Sequence, residues 1–193
     1  SLYSYVGDGK LPYSFSDLYG KLSFNSASGS YFKLFAFNFK DKVDFENTAR
    51  YEWDSKGIGS KFLLVPGGSK TLIDGFFAFS DYAIEQDEKN QEPRFSSIDG
   101  FNVGLNFSYY KKNDELKYGM ELNGFTTDFQ ITNSNNRKIS QKENTTELTG
   151  FVNYRKIIKE KLILEPGFRI QYYSSLANTN YEPRFRAKYN ITT

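Results

Sequence analysis

Two neighbouring stretches decide how this chain is read: Lys161-Leu-Ile-Leu-Glu-Pro-Gly-Phe-Arg-Ile-Gln-Tyr-Tyr-Ser174 and, after a short loop, Tyr181-Glu-Pro-Arg-Phe-Arg-Ala-Lys-Tyr-Asn-Ile191. Read by twos, the second splits into two faces. Pro183, Phe185, Ala187, Tyr189 and Ile191 point one way; Glu182, Arg184, Arg186, Lys188 and Asn190 point the other. The first behaves alike, with Leu162, Leu164, Pro166, Phe168, Ile170 and Tyr172 opposite Glu165, Gly167, Arg169 and Gln171. Ile163 is the apolar intruder on its polar side. Strict period-two alternation marks β-strands with one apolar and one wetted face.

Composition narrows what those faces meet. The chain has 193 residues, enough for one domain or part of a larger one. Mean hydropathy is −0.61, yet 18% of residues are aromatic, with 19 Phe and 15 Tyr. Leu, Ile and Val normally fill a soluble core. Tyr is favoured where one end of the side chain is apolar and the other wet, as at a membrane interface. Net charge is +2 and the basic residues are scattered, which gives no nucleic-acid footprint. Cysteine and histidine are both absent, so disulfides, thiolate chemistry and the commonest general base and metal ligand are excluded. No run of about 18 apolar residues is present, so no helix crosses a bilayer. Membrane insertion would therefore require a barrel.

Strand signals follow one another over 17–25, 31–43, 51–65, 70–84, 98–110, 115–131, 145–155 and the two closing runs. Residues 1–16 read as a loop, and Gly7-x-Gly9 there lacks the following helix of a phosphate-binding turn. Nine strands result. Tight turns are expected near 26–30, 66–69, 111–114 and 157–160. Longer polar loops are expected near 44–50, 85–97 and 132–144, interleaved with the tight ones, and an intermediate one near 175–180. This is the rhythm of an up-and-down outer-membrane barrel. Tyr109, Tyr110, Tyr118, Tyr154 and Tyr189 fall at the short-turn end, and Tyr82, Tyr172, Tyr173 and Tyr181 at the other, as two interfacial girdles would. A soluble antiparallel sandwich alternates in the same way and stays open as an alternative. Pro166 and Pro183 each remove a ladder donor, so a bulge or local break is expected beside each.

No catalytic constellation is present, and no cofactor is implied. The acidic run Glu85-Gln-Asp-Glu88 offers oxygen ligands without the spacing of a calcium loop. Asn106, Asn144 and Asn190 each start a glycosylation-type triplet, which a bacterial origin would make idle.

Several stretches together resemble the barrel of TonB-dependent outer-membrane receptors of the Bacteroidetes type. They are Leu2-Tyr-Ser-Tyr-Val-Gly-Asp-Gly9, Leu11-Pro-Tyr-Ser-Phe-Ser-Asp-Leu-Tyr-Gly-Lys-Leu-Ser-Phe-Asn25, Phe62-Leu-Leu-Val-Pro-Gly-Gly-Ser69, Glu143-Asn-Thr-Thr-Glu-Leu148, Leu164-Glu-Pro-Gly-Phe-Arg-Ile-Gln-Tyr-Tyr173 and Tyr181-Glu-Pro-Arg-Phe-Arg-Ala-Lys-Tyr-Asn190. The resemblance lies in their order and style and covers essentially the whole chain. It implies an all-β antiparallel meander forming a middle segment of a barrel of about 22 strands with a plugged lumen. It further implies import of a scarce nutrient such as a siderophore, metal complex, glycan or peptide. The implied partners are outer-membrane lipid, the rest of the barrel and its plug, TonB, and a surface lipoprotein lid. Plug, TonB-contacting segment and terminal aromatic strand are missing from these residues, and nine strands is an odd number. A fragment of a larger barrel is therefore expected, with a small stand-alone barrel as the alternative.

In a wide barrel Glu165, Arg169, Arg184, Arg186 and Lys188 would face the lumen, because Arg or Lys against lipid at mid-depth costs ~2–4 kcal/mol. There they would contact plug or substrate, pairing with the plug or neighbouring strands being the expected role.

Overall fold

The computed structural model describes residues 12–45, 48–89, 91–132 and 137–191. Among them one sheet is formed, nine antiparallel strands in strict sequence order. The strands are β1 (Tyr13–Asn25), β2 (Tyr31–Phe45), β3 (Ala49–Leu64), β4 (Thr71–Glu88), β5 (Arg94–Lys111), β6 (Asp114–Thr132), β7 (Lys138–Ile158), β8 (Leu162–Tyr173) and β9 (Asn178–Tyr189). Gly7 and Gly9, with most of the first expected loop, lie outside the described residues.

Among the described residues no second layer covers this sheet. Among the described residues no hydrophobic side chain is buried, whereas Asn106, Ser108, Thr149 and Gln171 are, at 6–8% exposure or, for Thr149, 1%. That ordering is the reverse of a water-soluble fold, in which apolar groups are the ones most often buried. It removes the sandwich alternative, whose inner faces would form an apolar core. Crowding of the polar face and openness of the apolar one mean that the sheet curves around its polar side.

The register fixes which residues share each face. Phe77, Val103, Leu122, Leu148 and Tyr172 form one row across β4–β8. Ile73, Phe107, Tyr118, Val152, Phe168 and Pro183 form a second row on the same outer face. Phe107 stacks on Tyr118 with ring centroids 5.2 Å apart. On β5 this apolar band runs from Phe101 to Tyr109, about 26 Å of strand at ~3.3 Å per residue, enough for a tilted crossing of a hydrocarbon core.

The strands run on beyond the band at one end, and here the structure corrects the sequence reading. Most of the polar segments expected as long loops at 44–50, 85–97 and 132–144 are strand: β2 continues to Phe45, β4 to Glu88 and β6 to Thr132, and their partners begin at Ala49, Arg94 and Lys138. The connections at the two ends differ little in length. The asymmetry lies in how far the ladders extend past the band. The physical reason is a reversal of polarity. Next to the outer row Ile58–Phe79–Phe101 comes the row Lys56–Asp81–Asp99–Thr126–Asn144. Outer-face pairs such as Lys40–Asp54 (2.9 Å) and Lys56–Asp81 (3.4 Å) clothe this extension. Its polarity is that of a sheet with both edges of its strands in a ladder and its outer face in water.

The same parity moves three tyrosines. Tyr82, Tyr110 and Tyr173 lie on the inner face, whereas Tyr109, Tyr118, Tyr154, Tyr172, Tyr181 and Tyr189 share the outer one. At Pro166 the β7–β8 ladder lapses, the pairs between Asn153↔Gly167 and Lys156↔Leu164 being absent while the register is kept. At Pro183 the β8–β9 ladder is unbroken. β9 is an edge strand, so the missing N–H costs no pairing on its open side.

Candidate functional site: a charged ladder on the inner face

Strand β8 sits between β7 and β9, so its inner-face groups have partners on both sides. Glu165 is opposite Arg186 on β9 and pairs with it, while Arg155 Nε on β7 approaches its other oxygen at 3.4 Å. Four residues on, Arg169 reaches Glu147 at 3.6 Å and donates to Thr149 Oγ1 at 3.4 Å. Thr149 in turn donates to Glu147 at 3.1 Å, and Gln171 donates to the same carboxylate. Arg184 pairs with Glu182 along β9 at 2.5 Å. Short residues make room for these long ones. Gly167 stands opposite Arg184, and Thr149 is the most enclosed side chain described.

Four of the five residues singled out from sequence therefore join a ladder of alternating sign: Glu165, Arg169, Arg184 and Arg186. Lys188 shares their face, opposite Ile163, but has no ion pair among the described residues. Sequence reasoning missed Arg155, Glu147 and Thr149. Arg155 and Glu147 lie four turns of alternation apart on β7, and only the β7–β8 register shows that they flank Glu165 and Arg169. Bordered by Glu115, Lys117, Arg155, Glu165, Arg184 and Arg186 is a recess of about 440 Å³.

Chemically the ladder can orient water, bind groups of either sign weakly, and hold a polar body against the wall. Its arginines are partnered by carboxylates, which limits their capacity as a dedicated anion site. Glu85-Gln-Asp-Glu88 is strand, with Glu85 and Asp87 on the outer face and Gln86 and Glu88 on the inner. Those carboxylates cannot converge on one cation. Among the described residues no group of three or more acidic side chains is placed to hold a metal ion.

No family model matches the sequence, and no curated protein matches it. Solved structures do resemble the fold. The outer membrane transporter YddB from Escherichia coli superposes with a TM-score of 0.69 at 11% identity, over 92% of this chain and 29% of that one. The translocator domain of the autotransporter NalP from Neisseria meningitidis gives 0.43 at 12% identity, over 93% of this chain and 70% of that one. The present chain spans under a third of the length of the YddB chain it resembles. Its fold is an antiparallel meander of the outer-membrane β-barrel kind, nine strands long among the described residues.

Proposed function

We propose that this chain is part of the wall of a bacterial outer-membrane transporter, a barrel of the TonB-dependent type that imports a scarce nutrient and performs no catalysis itself. The observation that carries the reading is the inverted burial: polar side chains shielded on the concave face, Phe, Leu and Val open on the convex one. A lipid-facing band and a wet lumen demand that arrangement. Both edges support a wall longer than nine strands. Along all 13 residues of β1 the side chains are exposed, as they are along most of β9, and unpaired backbone of that length inside a bilayer is untenable.

On this reading the extended hairpins β2–β3, β4–β5 and β6–β7 stand above the outer surface. The inner-face ladder Glu165, Arg169, Arg184, Arg186 and Lys188 holds a plug within the lumen, with substrate contact secondary. TonB, the plug and a surface lipoprotein lid are the partners it would need. A stand-alone small barrel is comparably supported, because β1 and β9 match in length at 13 and 12 residues and could pair with each other.

The test uses the full-length gene product in its own cells. Recovery in the outer membrane as a heat-modifiable band fits both readings and excludes a soluble protein. Uptake of the limiting nutrient that collapses when the proton-motive force is dissipated supports TonB coupling. Uptake or efflux that ignores the proton-motive force leaves the stand-alone barrel. Arg184→Ala and Arg186→Ala should loosen plug seating; loss of ligand binding with the plug retained would reverse the assigned roles.

A further inference from the structure

Beyond the apolar band the inner face of β1–β4 carries a second surface that the charged ladder does not use. The register sets Phe15, Asp41 and Trp53 side by side in one row across β1, β2 and β3. Asp17, Phe39, Ser55 and Tyr82 form the next row. Directly opposed side chains on one face of a sheet have Cβ atoms about 5 Å apart, so Asp41 stands between two aromatic rings and Asp17 beside a third. Tyr51 stacks on Trp53 at 6.0 Å between centroids, and Phe37 on Phe39 at 5.0 Å. A recess of about 650 Å³ opens among Tyr13, Phe15, Asp17, Phe39, Asp41 and Trp53.

Its electrostatics are one-sided. Neither Asp17 nor Asp41 has an ion-pair or hydrogen-bond partner among the described residues. At this height the basic residues Lys40, Lys42 and Lys56 belong to the outer face and are paired there with Asp54, Asp44 and Asp81. Inner-face Lys21, Lys33 and Lys61 lie nearer the short turns, and Lys33 Nζ already sits 4.5 Å over the Tyr31 ring. Lys42 also borders the recess, but its ammonium is held by Asp44 and Glu52, so aromatic faces and free carboxylates converge without an uncommitted cation among the described residues.

We propose that this recess binds a small organic cation, a ligand carrying a protonated or quaternary ammonium group. Ring faces present negative quadrupole to such a group, and Asp41 and Asp17 supply the countercharge beside them. An anion meets two carboxylates, with only the neutral donors of Trp53, Ser55 and Tyr82 beside them to offset the repulsion. A neutral apolar ligand strips water from both carboxylates without replacing it. The proposal rests on the reading that this face lines an aqueous lumen, and it names the ligand class for the end of that lumen where the hairpins extend.

Calorimetric titration of the detergent-solubilised full-length gene product with choline, and with its uncharged isostere 3,3-dimethylbutan-1-ol, tests the assignment. Choline should bind at least tenfold more tightly than the isostere. Asp41→Asn and Trp53→Leu should each weaken choline at least fivefold while heat-modifiable mobility is retained. Equal affinity for the two probes, no detectable choline binding, or binding that survives both substitutions overturns the proposal. The comparison of two probes on the unaltered protein stands even where a variant fails to fold. Because binding is read without transport, choline affinity retained alongside uptake indifferent to the proton-motive force would strike the import reading alone.

Discussion

Asp99 and Phe101 project from the same outer face of β5, two residues apart, and that face changes from polar to apolar between them. On one side the row is Lys56, Asp81, Asp99, Thr126 and Asn144; on the other it is Ile58, Phe79 and Phe101.

On the proposed function that boundary places the edge of the bilayer. Val103 lies inside the band and is 38% exposed, and Val103→Arg puts a guanidinium against acyl chains. The cost at mid-depth is ~2–4 kcal/mol and falls toward the interfaces. Ser97→Arg, on the same face beyond Asp99, meets water and costs almost nothing. The heat-modifiable fraction in isolated outer membranes should drop for the first and stay unchanged for the second. Equal losses would mean that the band is not the lipid contact.

Alternation made the strands and their faces legible, because a period of two survives any register. Phe101, Val103, Leu105, Phe107 and Tyr109 read from sequence as one face and are one face. What sequence hid was the reversal of polarity at Asp99. Charged residues such as Asp44, Glu85 and Asp87 read as loop because a strand in lipid could not carry them outward, yet beyond the band a strand can. The site was half legible for a related reason. Arg184 and Arg186 announce themselves by alternation within one strand, whereas Arg155 and Glu147 gain their role only from cross-strand register, which depends on the turns.

Five glycines, Gly57, Gly59, Gly75, Gly104 and Gly124, are covered by the ring of the phenylalanine directly opposite, and Gly59 with Phe35 shows why. A Cβ on Gly59 would fall 2.6 Å from the Phe35 ring and 3.0 Å from the Phe77 carbonyl oxygen. Phe35 lies flat across the glycine and fills the gap that a missing side chain leaves, a known device for supporting glycine in sheets. Gly59→Ala should destabilise by about 1–3 kcal/mol, the usual cost of overpacking. Phe35→Ala in the same chain should recover part of the loss, the carbonyl contact remaining. Thermal midpoints of the heat-modifiable band for the two single variants and the double variant measure the coupling. Additive losses would mean that the ring does not lie on the glycine.

The β7–β8 turn is strained in a correctable way. Lys159 and Glu160 have φ of 49° and 61°, and Lys161 N–H donates to Ile158 C=O at 3.2 Å. Two consecutive left-handed residues inside that bond make a type I′ turn, which favours Asn-Gly. Left-handed backbone costs an L-residue with a Cβ about 1–2 kcal/mol. Glu160→Gly should raise the thermal midpoint, the gain offset in part by greater freedom of the unfolded chain. Glu160→Pro should lower it, since proline fixes φ near −65°. A fall in both variants would contradict the turn.

Asp114 anchors the β5–β6 hairpin at the short-turn end, beyond the apolar band. Its carboxylate accepts from Lys156 Nζ at 2.6 Å, Tyr154 Oη at 3.0 Å and the Ile157 N–H at 3.3 Å. The Lys156 ammonium, foremost among these donors, holds the Asp114 carboxyl below its ordinary value despite desolvation, and the Lys156 ammonium is raised in return. A depressed carboxyl contributes stability that is complete above its unfolded value, ~3.9, and is lost as pH falls through the folded value. A raised lysine contributes below its unfolded value, ~10.4, and loses that contribution as pH rises past it. The pair should therefore act over a plateau between about pH 4 and pH 10. Asp114→Asn keeps an acceptor for Ile157 N–H and removes the charge. Its unfolding midpoint should lie below that of the unaltered protein across the plateau and converge with it at the acid end. Convergence near neutral pH instead would show that the Lys156 contact is not what depresses the carboxyl, and the exposure of the pair means that high salt should narrow the gap throughout.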